Sequence, residues 1–255
     1  PEVGMQKVMR DPSVLRGPDG TFHMVWTSSW KGDKGFGYAD SRDLIHWSPQ
    51  RFIPVMAYDT TTVNVWAPEL FYDEEQGKFL ILWASTIPFR FDKGQEEELN
   101  NHRMYYTETH DFLNFSDTRL YIDPGFSVID AILIKRRNAD YVLVMKDNTR
   151  PNRNLRVGFG NTPTGPFTRI SEPFTAFCTE GPTALKTADG WLIYFDAYRD
   201  KVYGAVKTSD FVRFKDVSDQ VSLPSGHKHG TIFKADRKVL DGLLKEAGKR
   251  TTNNQ

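Results

Sequence analysis

Cysteine occurs once, at Cys178, which excludes an intramolecular disulfide and any thiolate metal cluster built by this chain alone. Net charge is also missing: 33 Lys and Arg balance 33 Asp and Glu, so no long-range field draws the chain to nucleic acid or to an anionic membrane surface. No apolar run approaches the ~20 residues that span a bilayer, and residues 1–9 do not read as a signal peptide. Helical periodicity is nearly absent until residue 236. What the chain does have is aromatic surface, with 6 Trp, 10 Tyr and 18 Phe in 255 residues, a composition suited to strands and to stacking on sugar rings.

The chain also repeats itself. A first unit opens at Asp11-Pro12-Ser13-Val14-Leu15, turns at Gly17-Pro18-Asp19-Gly20 and closes on Asp43-Leu44-Ile45-His46-Trp47. A second opens at Trp66-Ala67-Pro68-Glu69-Leu70 and closes on Asp111-Phe112-Leu113-Asn114-Phe115. A third begins at Ile129-Asp130-Ala131, and a fourth runs from Glu180-Gly181-Pro182 to Asp210-Phe211-Val212-Arg213-Phe214. Lys228-His229-Gly230-Thr231-Ile232-Phe233 starts a partial fifth. Each full unit offers about four short alternating strands between turn residues, the pattern of a propeller blade.

The expected fold is therefore an all-β five-bladed propeller over residues 1–235. Residues 3–9 are expected to complete the fifth blade and close the ring without a free edge. A short helix and polar tail follow over 236–255, where Val239, Leu240, Leu243, Leu244 and Ala247 fall on one helical face.

Reading the head of each inner strand gives Asp11, Glu69, Asp130, Glu180 and His229. A propeller brings such positions around one end of its channel, and the neighbouring residues are apolar, so each acid sits where desolvation is costly without a purpose or a partner. Two separated carboxyl groups are the minimum apparatus for hydrolysing a glycosidic bond, and a third nearby can raise the pKa of the acid. Asp-Pro alone is also a common turn, and Glu69 is as readily a structural acceptor as a site residue. Trp30, Trp66 and Phe89 are candidate sugar platforms, and Arg199 can bond a sugar hydroxyl with its fork or pair with Asp196 or Asp200.

Arg10-Asp11-Pro12-Ser13-Val14, Trp66-Ala67-Pro68-Glu69, Val128-Ile129-Asp130-Ala131, Glu180-Gly181-Pro182 and Gly226-His227-Lys228-His229-Gly230-Thr231 resemble, in order and spacing, the blade heads of glycoside hydrolase family 43. The resemblance implies an inverting glycosidase with Asp11 as general base, Glu180 as general acid and Asp130 orienting that acid and raising its pKa. It implies that Asp11 and Glu180 stand ~6.5–9.5 Å apart, with room for a water. His229 matches a histidine at the channel floor that holds water or, through water, a structural calcium ion; no cofactor is required for turnover. Glu69 stands where the family more often has aspartate, and is carried over as substrate contact or support. Lys146-Asp147-Asn148-Thr149-Arg150 with Tyr198-Arg199-Asp200 is similar to an arabinosidase-like branch.

The expected partner is an oligosaccharide or polysaccharide of plant type, with α-L-arabinofuranose the first choice of released sugar. A β-xylosidase, an endo-arabinanase and a catalytically inactive carbohydrate-binding propeller are the alternatives. A retaining sucrose- or fructan-cleaving enzyme is disfavoured because Arg10, not Asn, precedes Asp11. The resemblance and the unusual first residue, Pro1, which suits either a removed leader or a trimmed start, lead to an expected secreted or periplasmic location. The sequence assigns no oligomeric state.

Overall fold

The computed structural model describes residues 1–92, 101–151, 153–224 and 226–252, and of residues 250–252 only the backbone. Alternating apolar residues build four antiparallel sheets in chain order. The first holds β1 (Arg10–Arg16), β2 (Phe22–Thr27), β3 (Phe36–Ser41) and β4 (Arg51–Ile53); the second holds β5 (Trp66–Asp73), β6 (Lys78–Ser85), β7 (Arg103–Thr109) and β8 (Arg119–Ile122). The third holds β9 (Val128–Arg137), β10 (Asp140–Asp147) and β11 (Asn154–Gly160), its fourth strand reduced to one bridge between Phe159 and Thr168. The fourth holds β12 (Glu180–Thr187), β13 (Gly190–Ala197), β14 (Val202–Thr208) and the two-residue β15 (Lys215–Asp216).

The sheets are propeller blades, each pairing strands in sequence order from an inner first strand outward. Apolar side chains fill the wedges between neighbouring blades: Val25, Phe36 and Tyr38 meet Ile81 and Trp83 between the first two, and Leu82 and Met104 meet Leu133 and Met145 between the next. Ile132 and Val144 meet Ile193 and Val206 between the last two.

The recurring Asp-x-x-x-aromatic phrase is one turn made three times. Asp43 Oδ1 accepts from the amides of Ile45 and His46, Asp111 Oδ1 from Leu113 and Asn114, and Asp210 Oδ1 from Val212 and Arg213. These donors hold all three carboxyls well below the usual carboxylate range. The residue after each aspartate, Leu44, Phe112 and Phe211, has positive φ, and its amide is taken by the hydroxyl of Ser41, Thr109 or Thr208.

The blade count differs from the sequence expectation: among the described residues there are four sheets, and where a fifth was expected the chain makes a strap. Residues 228–233 carry no strand, yet they bridge the fourth blade to the first. The Ile232 amide donates to Thr183 Oγ1 at 3.1 Å, the Val14 amide donates to Thr231 Oγ1 at 3.1 Å, and Thr231 Oγ1 donates to the Pro12 carbonyl at 2.9 Å. The Phe233 ring lies 6.1 Å from that of Phe22. Residues 3–9 do not complete a blade either. They lie along the first one, with the Val8 amide on the Ser28 carbonyl and the Met5 amide on the Asp33 carboxylate. Gly226, His227 and Gly230 interrupt the alternation a strand needs, so one strand's worth of chain satisfies both neighbours through hydroxyls and amides instead.

The final element is α1 (Arg237–Thr252), which begins just after an ion pair between Arg16 and Asp236 at 2.5 Å. Val239 and Leu243 are half-buried, whereas Leu240, Leu244 and Ala247 of the same stripe face solvent, so the helix rests on the ring by part of its apolar face.

Candidate active site

Every inner strand carries a bulge at its head, between Arg10 and Ser13, Trp66 and Glu69, Ile129 and Ile132, and Glu180 and Thr183. In each bulge one residue has left-handed backbone: Asp11 (φ 49°), Ala67 (44°), Asp130 (51°) and Gly181 (56°). A bulge re-aims side chains, and a non-glycine residue held there costs on the order of 1–3 kcal/mol, a strain that persists mainly at functional sites.

The registers correct the sequence-level equivalence of the blade heads. Asp11 and Asp130 occupy the same position; Glu180 stands one residue earlier, and Glu69 two residues later, in the place of Ser13 and Thr183.

Three of the four acids come together. Asp11, Asp130 and Glu180, with His229 from the strap, line one pocket of about 330 Å³, within the range of small-ligand clefts. Trp30, Trp66, His102, Lys146 and Arg153 line it too. Glu69 is not at the pocket wall; it lies behind, within the electrostatic reach of His229. Phe89 is 87% exposed and Arg199 has its guanidinium over Phe177, and neither reaches the pocket.

The site has a traceable hydrogen-bond frame. The Ala67 amide donates to Thr27 Oγ1 at 2.8 Å, and Thr27 Oγ1 donates to Asp11 Oδ2 at 3.1 Å, so the second blade fixes a carboxylate of the first. Asp130 Oδ2 accepts from the Gly181 amide at 3.2 Å, tying the third blade to the fourth. His229 Nδ1 lies 3.4 Å from Asp11 Oδ1 and 3.9 Å from Asp130 Oδ2. Glu180 Oε2 accepts from Lys146 Nζ at 2.7 Å. Trp30 and Trp66 form an aromatic wall, their rings 4.8 Å apart, with Trp66 stacked on His102 and Arg10 over the face of Trp30.

Burial alone would lower the pKa of His229, but Asp130, Asp11, Glu180 and Glu69 around it outweigh burial and raise it, which favours the imidazolium. Burial raises Asp130 despite His229 and Lys146, with Glu180 and Asp11 adding to the rise. Glu69 is pushed up to about 7, again by burial, against the Ser13 hydrogen bond and His229. Glu180 departs from expectation. Burial pushes it up, but the charge and hydrogen bond of Lys146, with His229 and Arg10 beyond, pull it down further, so the net displacement is downward.

Lys146 is the residue sequence reasoning did not place in the site. It ends the buried run Tyr141–Met145 of β10 and is itself only 2% exposed, a lysine where an apolar residue would be the ordinary choice. That anomaly was the available signal. His102, buried against Asn64 and Trp66, had none.

A calcium ion takes ~6–8 oxygen ligands. Among the described residues no three His, Cys, Asp or Glu side chains are grouped to hold a metal. No helix of the described residues is long and apolar enough to cross a membrane.

Comparison with known proteins bears on the fold and the family. A curated α-L-arabinofuranosidase of Bifidobacterium longum subsp. longum is 25% identical over 150 residues, which is 50% of this chain and 14% of that protein's length. The crystal structure of an α-L-arabinofuranosidase from Lactobacillus brevis has the same fold, with TM-score 0.64 and 17% identity over 82% of this chain and 72% of that one. An exo-β-1,3-galactanase from Phanerochaete chrysosporium also shares it, with TM-score 0.62 and 11% identity over 82% of this chain and 50% of that one. The sequence profile of the family 43-related glycosyl hydrolases, described as a probable glycosyl hydrolase domain, matches residues 1–241, and the chain belongs to that family.

Proposed function

We propose that the chain is an inverting exo-glycosidase that releases a pentose, α-L-arabinofuranose first, from a plant-type glycan outside the cell. The observation that supports this most is the convergence of Asp11, Asp130 and Glu180 on one pocket, with His229 between two of them. The similarity to arabinofuranosidases favours the sugar.

In this reading the Asp11 carboxylate, held through Oδ2 by Thr27, takes the proton of a water that attacks the anomeric carbon. The glycosidic C–O bond breaks with its electron pair going to the leaving oxygen, which receives the proton of Glu180. His229 stands between Asp11 and buried Asp130, 3.4 Å from the Asp11 carboxylate. Glu180 is loaded with its proton as the glycan enters: displacement of water strengthens the burial that already pushes its pKa up, while the Lys146 ammonium turns to a sugar hydroxyl. Trp30 and Trp66 offer faces to the sugar.

One observation favours a second reading, a sugar-binding propeller without turnover: Glu180 is neutralised by Lys146 in the unliganded pocket. A panel of aryl glycosides decides between them. Turnover of the aryl α-L-arabinofuranoside that is lost in Asp11→Asn supports the glycosidase, and proton NMR should show the opposite anomer released first. Binding without turnover across the panel supports the second reading, and retention of the anomer removes inversion.

A further inference from the structure

The chain as a whole is neutral, but its pocket is not. Five cationic side chains, Arg10, Lys31, Lys146, Arg150 and Arg153, line it against three carboxyls. Glu180 is paired with Lys146 at 2.7 Å, and His229 stands between Asp11 and Asp130. Arg10, Lys31 and Arg153 form no ion pair among the described residues. Arg153 has left-handed backbone (φ 50°), and its Nε is buried without a hydrogen-bond partner. A buried guanidinium donor left unmade is costly, and a strained residue that holds one in a pocket wall indicates a ligand acceptor.

The surplus cations stand on two sides. Arg10 ends against Trp30, next to Lys31, on the first blade; Arg153 follows β10 on the third. A neutral sugar needs hydroxyl partners and aromatic faces, and three further cations around a small cleft add nothing to that. They suit an anion: a guanidinium fork matches the paired oxygens of a carboxylate or sulfate, and a compact cleft with an excess of positive charge concentrates such ligands.

We propose that the glycan taken by this pocket is acidic, carrying a carboxylate or a sulfate ester on or beside the sugar whose bond is cleaved, and that Arg153 and Lys31 bind that group. This rests on the glycosidase reading and narrows its substrate class. Hydrolysis of a pentose branch from an acidic backbone satisfies both.

The test measures binding, so that it stands apart from turnover. The Asp11→Asn protein is titrated by calorimetry with glucuronate against glucose, galactose 6-sulfate against galactose, and inorganic sulfate alone. The expected result is at least tenfold tighter binding of one acidic sugar than of its neutral counterpart, weakening as salt rises from 50 to 300 mM. Preference for glucuronate identifies a uronic acid, and preference for the sulfated sugar a sulfated glycan. Adding Arg153→Gln with Lys31→Gln should remove at least fivefold of the preference while neutral-sugar binding is unchanged; Arg153→Lys, which keeps the charge, should retain most of it. Equal binding of acidic and neutral sugars overturns the proposal, as does inorganic sulfate binding as tightly as the sulfated sugar. The glycosidase reading fails separately: wild-type turnover of a neutral aryl arabinofuranoside with no anion preference sinks only the acidic-substrate inference. Anion preference with no turnover of any glycoside sinks only the hydrolase.

Discussion

Lys146 Nζ stands 2.7 Å from Glu180 Oε2, so the proposed proton donor shares its proton affinity with a buried ammonium delivered by the neighbouring blade. Lys146→Met removes the strongest influence lowering the Glu180 pKa, and burial then pushes that pKa up. An acid with a higher pKa stays protonated to higher pH, so the alkaline limb of kcat/KM should move upward by about one unit or more, with Lys146→Arg restoring part of the original profile. A pH profile that does not move separates Lys146 from the proton donor.

Asp11→Asn should lower kcat by roughly 10²–10⁴ on every glycoside, because the attacking water keeps its proton. Glu180→Gln should cost far less on a nitrophenyl glycoside than on a natural one, since a leaving group of low pKa needs little protonation. Paired kinetics on the two substrates read this directly, and equal losses in both variants argue against the division of roles.

At Gly181 the backbone is left-handed (φ 56°), and a Cβ there would stand 2.5 Å from His229 Cγ. Gly181→Ala forces either the strand head or the imidazole to move. Expected are a loss of about 2 kcal/mol of stability, near 5 °C in Tm, and a loss of turnover well beyond that unfolding. A thermal melt and an initial-rate assay on the same preparation test both; normal activity would show that His229 does not need its place.

Glu69 has its pKa raised by burial from an ordinary 4.5 to about 7. A group raised in the folded state contributes stability fully below its unfolded pKa and loses it as pH rises through the folded one, here between about 4.5 and 7. Glu69→Gln removes that loss, so the Tm of the variant relative to wild type should be higher at pH 8 than at pH 4.5. Melting curves across this range should show the difference growing with pH, and a flat difference would mean that Glu69 is not ionised at a cost.

Much of the fold was readable because its units recur: the Asp43, Asp111 and Asp210 phrase encodes the same turn each time, with its own donors two and three residues ahead. The missing fifth sheet was not readable, because Lys228-His229-Gly230-Thr231 repeats the chemistry of a blade head without the partner strands that make a blade. Asp11, Asp130 and Glu180 were legible as acids amid apolar strand residues. Their inequivalence was legible only in part, from proline: Asp11 directly precedes Pro12, whereas Glu180 stands two residues before Pro182, and no proline marks the register of Asp130. Lys146 left a local signal, a lysine at the end of an apolar strand run, whereas Arg153 escaped because its meaning depends on which blade faces which, a long-range relation that local patterns do not carry.

The strap has a further consequence for the order of assembly. Residues 14 and 231, at opposite ends of the ring, meet through a single threonine hydroxyl, and His229 comes with that junction. Such distant contacts form only after the entropy of closing the loop has been met, so blades emerging in sequence can fold against one another before the ring is joined. During synthesis the three carboxyls would already be in place while the imidazolium between Asp11 and Asp130 is still absent. On the proposed mechanism the newborn protein acquires its competent electrostatics in one late event, and activity becomes a reporter of circularisation.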